Sequence, residues 1–177
     1  MKKIVIIGPE STGKSTLCKE LAAHYQTNWC PEYAREYLVK LDAAYTYQDL
    51  LQIAKGQLKL EDELFEKARS GIYFIDTDMY VMKVWCEVAF GNCHNWILKQ
   101  IASRHYDHYL LCDTDLPWEK DDLREYPDKA FRDRLLKTYI DLLIHSGVPW
   151  TMVSGVNAER LKTAVNAIDS RLGRTNG

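Results

Sequence analysis

Nowhere does the sequence approach the roughly 18 consecutive apolar residues that a membrane-crossing helix needs. That argues against a membrane span. Basic charge is not in excess either. Lys and Arg number 23 against 25 Asp and Glu, for a formal net charge of −2, so nucleic acid is not expected as a partner. Cysteines are five, an odd count with wide spacings, at Cys18, Cys30, Cys86, Cys93 and Cys112. None form a C-x-x-C pair, so neither a zinc site nor a disulfide framework is indicated, and reduced, mostly buried thiols are expected. Internal repeats, low-complexity tracts and a second-domain boundary are all missing. The first residues run straight into an apolar strand, which leaves no room for a signal peptide. The expectation is a single cytoplasmic domain over residues 1–177, with 46% hydrophobic residues to build its core.

What is present is concentrated in one stretch. Gly8-Pro9-Glu10-Ser11-Thr12-Gly13-Lys14-Ser15 reads G-x-x-x-x-G-K-S, a phosphate-binding loop. The apolar strand Lys3–Ile7 precedes it, and a helix from Lys14 to about Tyr25 follows, with Leu17, Leu21 and Tyr25 on one face. Gly8 and Gly13 let the backbone wrap a phosphate without a Cβ in the way. Successive amides of Glu10, Ser11, Thr12 and Thr16 would then point at the anion at a helix N-terminus. Lys14 would reach the β- and γ-phosphates, and the Ser15 hydroxyl would ligate Mg²⁺. The chain is therefore expected to bind ATP or a related triphosphate.

Downstream strands end in carboxylates. A short strand at 27–30 closes at Pro31 and leads to Glu32, Tyr33 and Arg35. Glu32 and Arg35, one helical turn apart with Tyr33 between them, fit a grip on a polar substrate; they fit a helix start with dipole-favoured acids equally well. A long helix is predicted from Tyr47 to Ser70, capped by Thr46 and ended by Gly71. The strand Ile72–Ile75 then runs into Asp76, the position of a metal-site carboxylate. Asp78, two residues on, faces a substrate or caps the next helix, Met79–Phe90. An aromatic such as Tyr80 or Trp85 could touch a planar base, although core packing is the commoner use.

A helix at Asn95–Arg104 and the strand Tyr109–Cys112 come next. Residues 114–130 form a polar, aperiodic connection long enough to need a purpose, here a lid over ATP. Arg124, Arg132 and Arg134 are candidates to neutralise a transferring phosphoryl group, with Arg124 first because it lies mid-lid. A helix at 128–145, a strand at 149–153 and a last helix capped by Asn157 complete the chain. In such an architecture the turn after the last strand, here Ser154-Gly155, often packs on an adenine ring through its backbone. The tail from Gly173 to Gly177 reads as frayed. Five strands alternating with helices predict an α/β fold, a P-loop NTPase three-layer sandwich with a five-stranded parallel sheet and helices on both faces.

Missing motifs sort the function. No N/T-K-x-D guanine motif occurs, which argues against a GTPase. An oligomeric AAA motor would be longer and carry Asp-Glu where this chain has Asp76-Thr77. A small-molecule kinase remains, with a non-kinase nucleotide-binding regulatory module, or a kinase for another nucleoside or metabolite, as alternatives.

The segments GPESTGKSTL, PEYAREYL, FIDTD and LLCDTDLPWEKDDLRE together resemble the ribosylnicotinamide kinase domain of bacterial NadR proteins. The likeness runs from about residue 3 to 170. It implies ATP-dependent phosphorylation of the 5′-hydroxyl of nicotinamide riboside to the mononucleotide. By matching motif it implies ATP and Mg²⁺ on Gly13, Lys14 and Ser15, and an acid at Asp76. It further implies substrate residues Glu32 and Arg35, and a lid motif of Asp121, Asp122 and Arg124. Two departures stand out: no H-x-G-H nucleotidyl-transfer motif and no DNA-binding helix-turn-helix. The expectation is a kinase module whose product another protein would carry to NAD. With Glu32 holding substrate and Asp76 the metal, the expected catalytic set is Lys14, Glu32, Asp76 and Arg124.

Overall fold

The computed structural model describes residues 1–121 and 123–173. Asp122 of the lid motif and the expected frayed residues 174–177 lie outside them. Among the described residues, twelve elements follow one another: β1 (Lys2–Ile7), α1 (Lys14–His24), β2 (Trp29–Cys30), α2 (Tyr33–Leu41), α3 (Tyr47–Phe65), β3 (Ile72–Asp76), α4 (Met79–Phe90), α5 (Asn95–Ser103), β4 (His108–Cys112), α6 (Lys129–Ser146), β5 (Trp150–Val153) and α7 (Ala158–Leu172).

The strands form one sheet in the order β2-β3-β1-β4-β5, and every pairing is parallel. β1 is central, so it must be apolar on both faces, and its alternation divides the core. Ile4 and Ile6 pack with Phe74, Leu110 and Val153 under α1 and α7. Val5 and Ile7 pack with Tyr73, Ile75, Tyr109 and Leu111 under α6, through Tyr139 and Leu143. A third cluster joins α3, α4 and α5 through Leu50, Ile53, Leu58, Met82 and Ile97. The expected sandwich with helices on both faces is what forms.

The chain leaves β1 toward β3 on one side and reaches β4 on the other, so the sheet opens at the C-terminal end of β1, where such folds bind ligands. The register Ile6↔Asp76 sets the end of β3 beside the phosphate loop.

Local expectations are corrected in two places. The second strand is Trp29–Cys30 rather than 27–30, because the Thr27 hydroxyl donates to Ile72 O (2.9 Å) and Arg69 O (3.0 Å), outside the ladder. α3 stops at Phe65 rather than Ser70. Its last turn tightens, with Lys67 N–H on Leu64 O and Ala68 N–H on Phe65 O, and Gly71 takes its left-handed φ of 75° beyond the helix. The cap at Thr46 is a reciprocal one. Asp49 N–H donates to Thr46 Oγ1 (3.3 Å) and Thr46 N–H to Asp49 Oδ2 (2.8 Å). No helix among the described residues is long and apolar enough to cross a membrane.

Candidate nucleotide and acceptor site

A cavity of about 230 Å³ opens at this sheet edge. It is lined by the whole phosphate loop from Gly8 to Thr16, by Glu32, Arg35 and Leu38 after β2, by Val81, Val84 and Trp85 of α4, by Leu123 to Tyr126, and by Leu135 and Tyr139 of α6.

The loop geometry explains its sequence. Gly8 has φ 144°, and a Cβ there would sit 2.7 Å from Cys112 O, so only glycine fits. Lys14 Nζ donates to Pro9 O at 2.9 Å and Thr12 Oγ1 donates to the same carbonyl at 2.7 Å, which arches the loop. Ser15 Oγ donates to Asp76 Oδ2 at 2.5 Å. Asp76 is fully buried, and burial first, then the charge of Glu32, push its carboxyl up to about 6. Two carboxylates that repel each other beside a phosphate loop and a serine hydroxyl suit a divalent cation. The donor set at Ser15 and Asp76 therefore fits Mg²⁺.

Glu32 occupies the N-cap of α2 but makes no capping bond with its side chain. Its carboxylate lines the cavity instead. Arg35 reaches across to the lid, with Nη2 2.6 Å from Asp121 Oδ2. Tyr33 goes elsewhere. Its ring lies against Gly56 of α3, and its N–H donates to Gln57 Oε1 at 2.7 Å. Asp78 also leaves the cavity. It caps α4, accepting from Tyr80 N–H at 2.9 Å, and takes the Tyr109 hydroxyl at 2.7 Å. Its carboxyl, pushed up to about 7 by burial, lines a separate pocket with Tyr106 and His105.

The lid is held down by the phosphate loop itself. Glu10 accepts from Tyr126 N–H (2.6 Å), Glu125 N–H (3.0 Å) and Trp118 Nε1 (3.2 Å), and Ser11 Oγ accepts from Glu119 N–H (3.0 Å). The three lid-region arginines separate. Arg134 is exposed over the Phe131 ring. Arg124 lines the cavity but donates to Glu119 O of its own lid at 2.6 Å. Arg132 is buried, and its Nε and Nη1 have no hydrogen-bond partner among the described residues.

Tyr139, Tyr45 and Gln57 had not been singled out from sequence, and Trp85 only as one of two aromatics that could touch a base. Trp85 and Tyr139 line the cavity together with the phosphate loop. Trp85 Nε1 donates to Tyr45 Oη (3.0 Å), and Tyr45 donates to Glu125 of the lid (2.8 Å). Gln57, buried in α3, donates to Pro31 O (3.2 Å) and Asp76 O (3.4 Å), tying together the two strand ends that carry Glu32 and Asp76. Its one visible signal is a polar residue on an otherwise apolar helical stripe.

Comparison with known proteins agrees with this plan. A family model described as an AAA domain matches residues 3–160. The trifunctional NAD biosynthesis/regulator protein NadR of Escherichia coli (strain K12) is 27% identical over 157 residues, covering 86% of this chain and 38% of that protein. Among solved structures, NadR protein in complex with NR superimposes with a TM-score of 0.82 at 22% identity, covering 99% of this chain and 52% of the other. Thymidylate kinase from Candida albicans gives a TM-score of 0.67 at 16% identity, covering 99% of this chain and 95% of that one. The chain thus spans well under two thirds of the NadR proteins it matches.

Proposed function

The chain belongs to this AAA-domain family, and from that premise we propose that it is an ATP-dependent small-molecule kinase whose acceptor is the 5′-hydroxyl of nicotinamide riboside. One observation carries the proposal: a single cavity is lined by a phosphate loop together with a carboxylate, an arginine and two aromatic rings. A triphosphate on the loop would meet an acceptor held by Glu32, Arg35, Trp85 and Tyr139. The likeness to NadR, one structure of which holds NR, supports the choice of acceptor.

In the transfer, the acceptor oxygen forms a bond to the γ-phosphorus as the bond to the β–γ bridging oxygen breaks, and the acceptor proton leaves. Products are ADP, a phosphate monoester and a proton. Glu32 orients the hydroxyl and takes that proton. Lys14 and the loop amides hold the β- and γ-phosphates, and Arg124 or Arg132 offsets charge on the moving group. Mg²⁺ bound at Ser15 and Asp76 would neutralise phosphate charge. Thr77 stands where a hydrolytic AAA motor would carry the glutamate that activates water, which favours transfer to a bound acceptor.

ADP release with Mg·ATP, measured with and without nicotinamide riboside beside a panel of other nucleosides, tests this. Strong stimulation by the riboside is expected. Stimulation by a different nucleoside would move the acceptor. Tight ATP binding with no stimulation by any of them would point to a nucleotide-dependent regulator instead.

A further inference from the structure

Arg160 sits in the first turn of α7, far in sequence from every motif, and is buried. Four of its five guanidinium N–H donors are bonded, across three loops. Nη1 donates to Thr12 O of the phosphate loop at 2.9 Å. Nη2 donates to Asp113 O at 3.0 Å, just past β4, and pairs with the Asp115 carboxylate. Nε donates to Gly155 O at 2.7 Å, in the turn after β5. Asp115 closes the ring by accepting the Gly155 N–H at 2.5 Å. Gly155 itself favours glycine, since its φ is 89°, in the left-handed region.

On the nucleotide reading, the phosphate loop takes the phosphates and the Gly155 turn, where an adenine ring is expected to pack, takes the base. A planar fork bonded to both sets the distance between them, which a lysine's single point charge could not do. We propose that Arg160 is the positioning residue of the nucleotide site, holding the base-side turn at a fixed span from the phosphate loop so that base and phosphates bind as one unit. This builds on the nucleotide half of the proposed function and is independent of the acceptor.

The test is calorimetric binding of Mg·ATP and of Mg·tripolyphosphate to the full chain, without acceptor. Tripolyphosphate needs only the phosphate loop; ATP needs both sites in register. The wild type should prefer ATP, and Arg160→Met should weaken ATP by about tenfold or more while weakening tripolyphosphate much less, so that the preference collapses. Arg160→Lys should narrow the preference to an intermediate degree. A general loosening of the fold would lower both affinities together and leave the preference intact; that result overturns the proposal. Should Arg160→Met not fold, Asp115→Asn removes the anionic partner of both Arg160 and the Gly155 N–H, and the same narrowing is required of it. If the wild type binds tripolyphosphate but gains nothing from the base, the Gly155 turn is not a base site and the proposal falls with the kinase reading left standing. If it binds neither, the nucleotide reading itself is wrong.

Discussion

Arg35 Nη2 lies 2.6 Å from Asp121 Oδ2, so one ion pair joins the acceptor-side helix α2 to the lid. Arg35 also holds the Asp121 carboxyl below its ordinary range. The side chains keep 56% and 24% exposure, so solvent screens the pair and its net contribution to stability is expected to be about 0–1 kcal/mol. Its expected effect is on lid closure rather than on stability. Arg35→Ala should leave the thermal midpoint close to wild type and slow turnover by about tenfold. Exchanging the charges, Arg35→Asp with Asp121→Arg, should recover part of that loss relative to either single variant. A swap no better than the singles would mean that Arg35 acts on substrate alone.

Lys14 on the phosphate loop and Glu32 at the start of α2 line the same cavity in different roles, so their variants should fail differently. Lys14→Ala should cut kcat by about 10³-fold with the fold intact, because transition-state charge on the phosphates loses its fixed cation. Glu32→Gln should raise the acceptor KM and lower kcat while the KM for ATP changes little. Steady-state kinetics with each substrate varied separates the two. An unchanged acceptor KM and kcat in Glu32→Gln would reduce Glu32 to an N-terminal helix residue.

The legible parts of this chain are those whose physics is local. The loop from Gly8 to Ser15 combines positive φ at glycine, a helix N-terminus and a strand within fifteen residues, and each constrains the others. The Thr46 cap is readable because both its partners lie within four residues. Asp76 is readable because a carboxylate ending an apolar strand has few other uses beside a phosphate loop. What could not be read depends on partners that folding brings from afar. Tyr33 looks like a ligand beside Glu32 until α3 presents Gly56 to its ring. Asp78 could cap or bind, and the hydroxyl of Tyr109, thirty-one residues away, goes to it in the core. Arg160 gives no signal at all, since its acceptors lie on Thr12, Asp113, Asp115 and Gly155. The second strand is shorter than the sequence suggests, since the hydroxyl of Thr27 finds Ile72 O and Arg69 O.

Gly56 provides a stability test that opposes helix propensity to packing. In the middle of α3, glycine to alanine would ordinarily gain about 1 kcal/mol. Here the added Cβ would stand 2.1 Å from Tyr33 Cε1, so the ring must leave its seat. Gly56→Ala is expected to destabilise by about 1–3 kcal/mol, the usual cost of overpacking. In the Tyr33→Ala background the clash vanishes and the same substitution should stabilise. Denaturant unfolding of the four proteins of this cycle checks it, and a Gly56→Ala cost that persists without the Tyr33 ring would refute the steric account.

Arg132 makes the sharpest case, because the same side chain should lower stability and raise activity. It is 3% exposed, and its Nε and Nη1 are unpaired among the described residues. The charge of neighbouring Asp133 is close, but that carboxylate is taken by the Thr114 hydroxyl at 2.5 Å and by Lys129 at 2.9 Å. A buried guanidinium with free donors costs several kcal/mol that an anion would return on binding. Arg132 precedes Leu135 and Tyr139 by three and seven residues on α6; those two line the cavity and Arg132 lies buried behind them. An anion that reached it, a phosphate of the nucleotide or the group in transfer, would satisfy those donors. Arg132→Met should raise the thermal midpoint of the nucleotide-free protein, lower kcat by about 10²-fold, and reduce the stabilisation that Mg·ATP confers on the wild type. Thermal unfolding with and without Mg·ATP, beside kcat, reads all three. If the midpoint falls and kcat holds, Arg132 is a structural cation and Arg124 is left as the lid residue that meets the phosphoryl group.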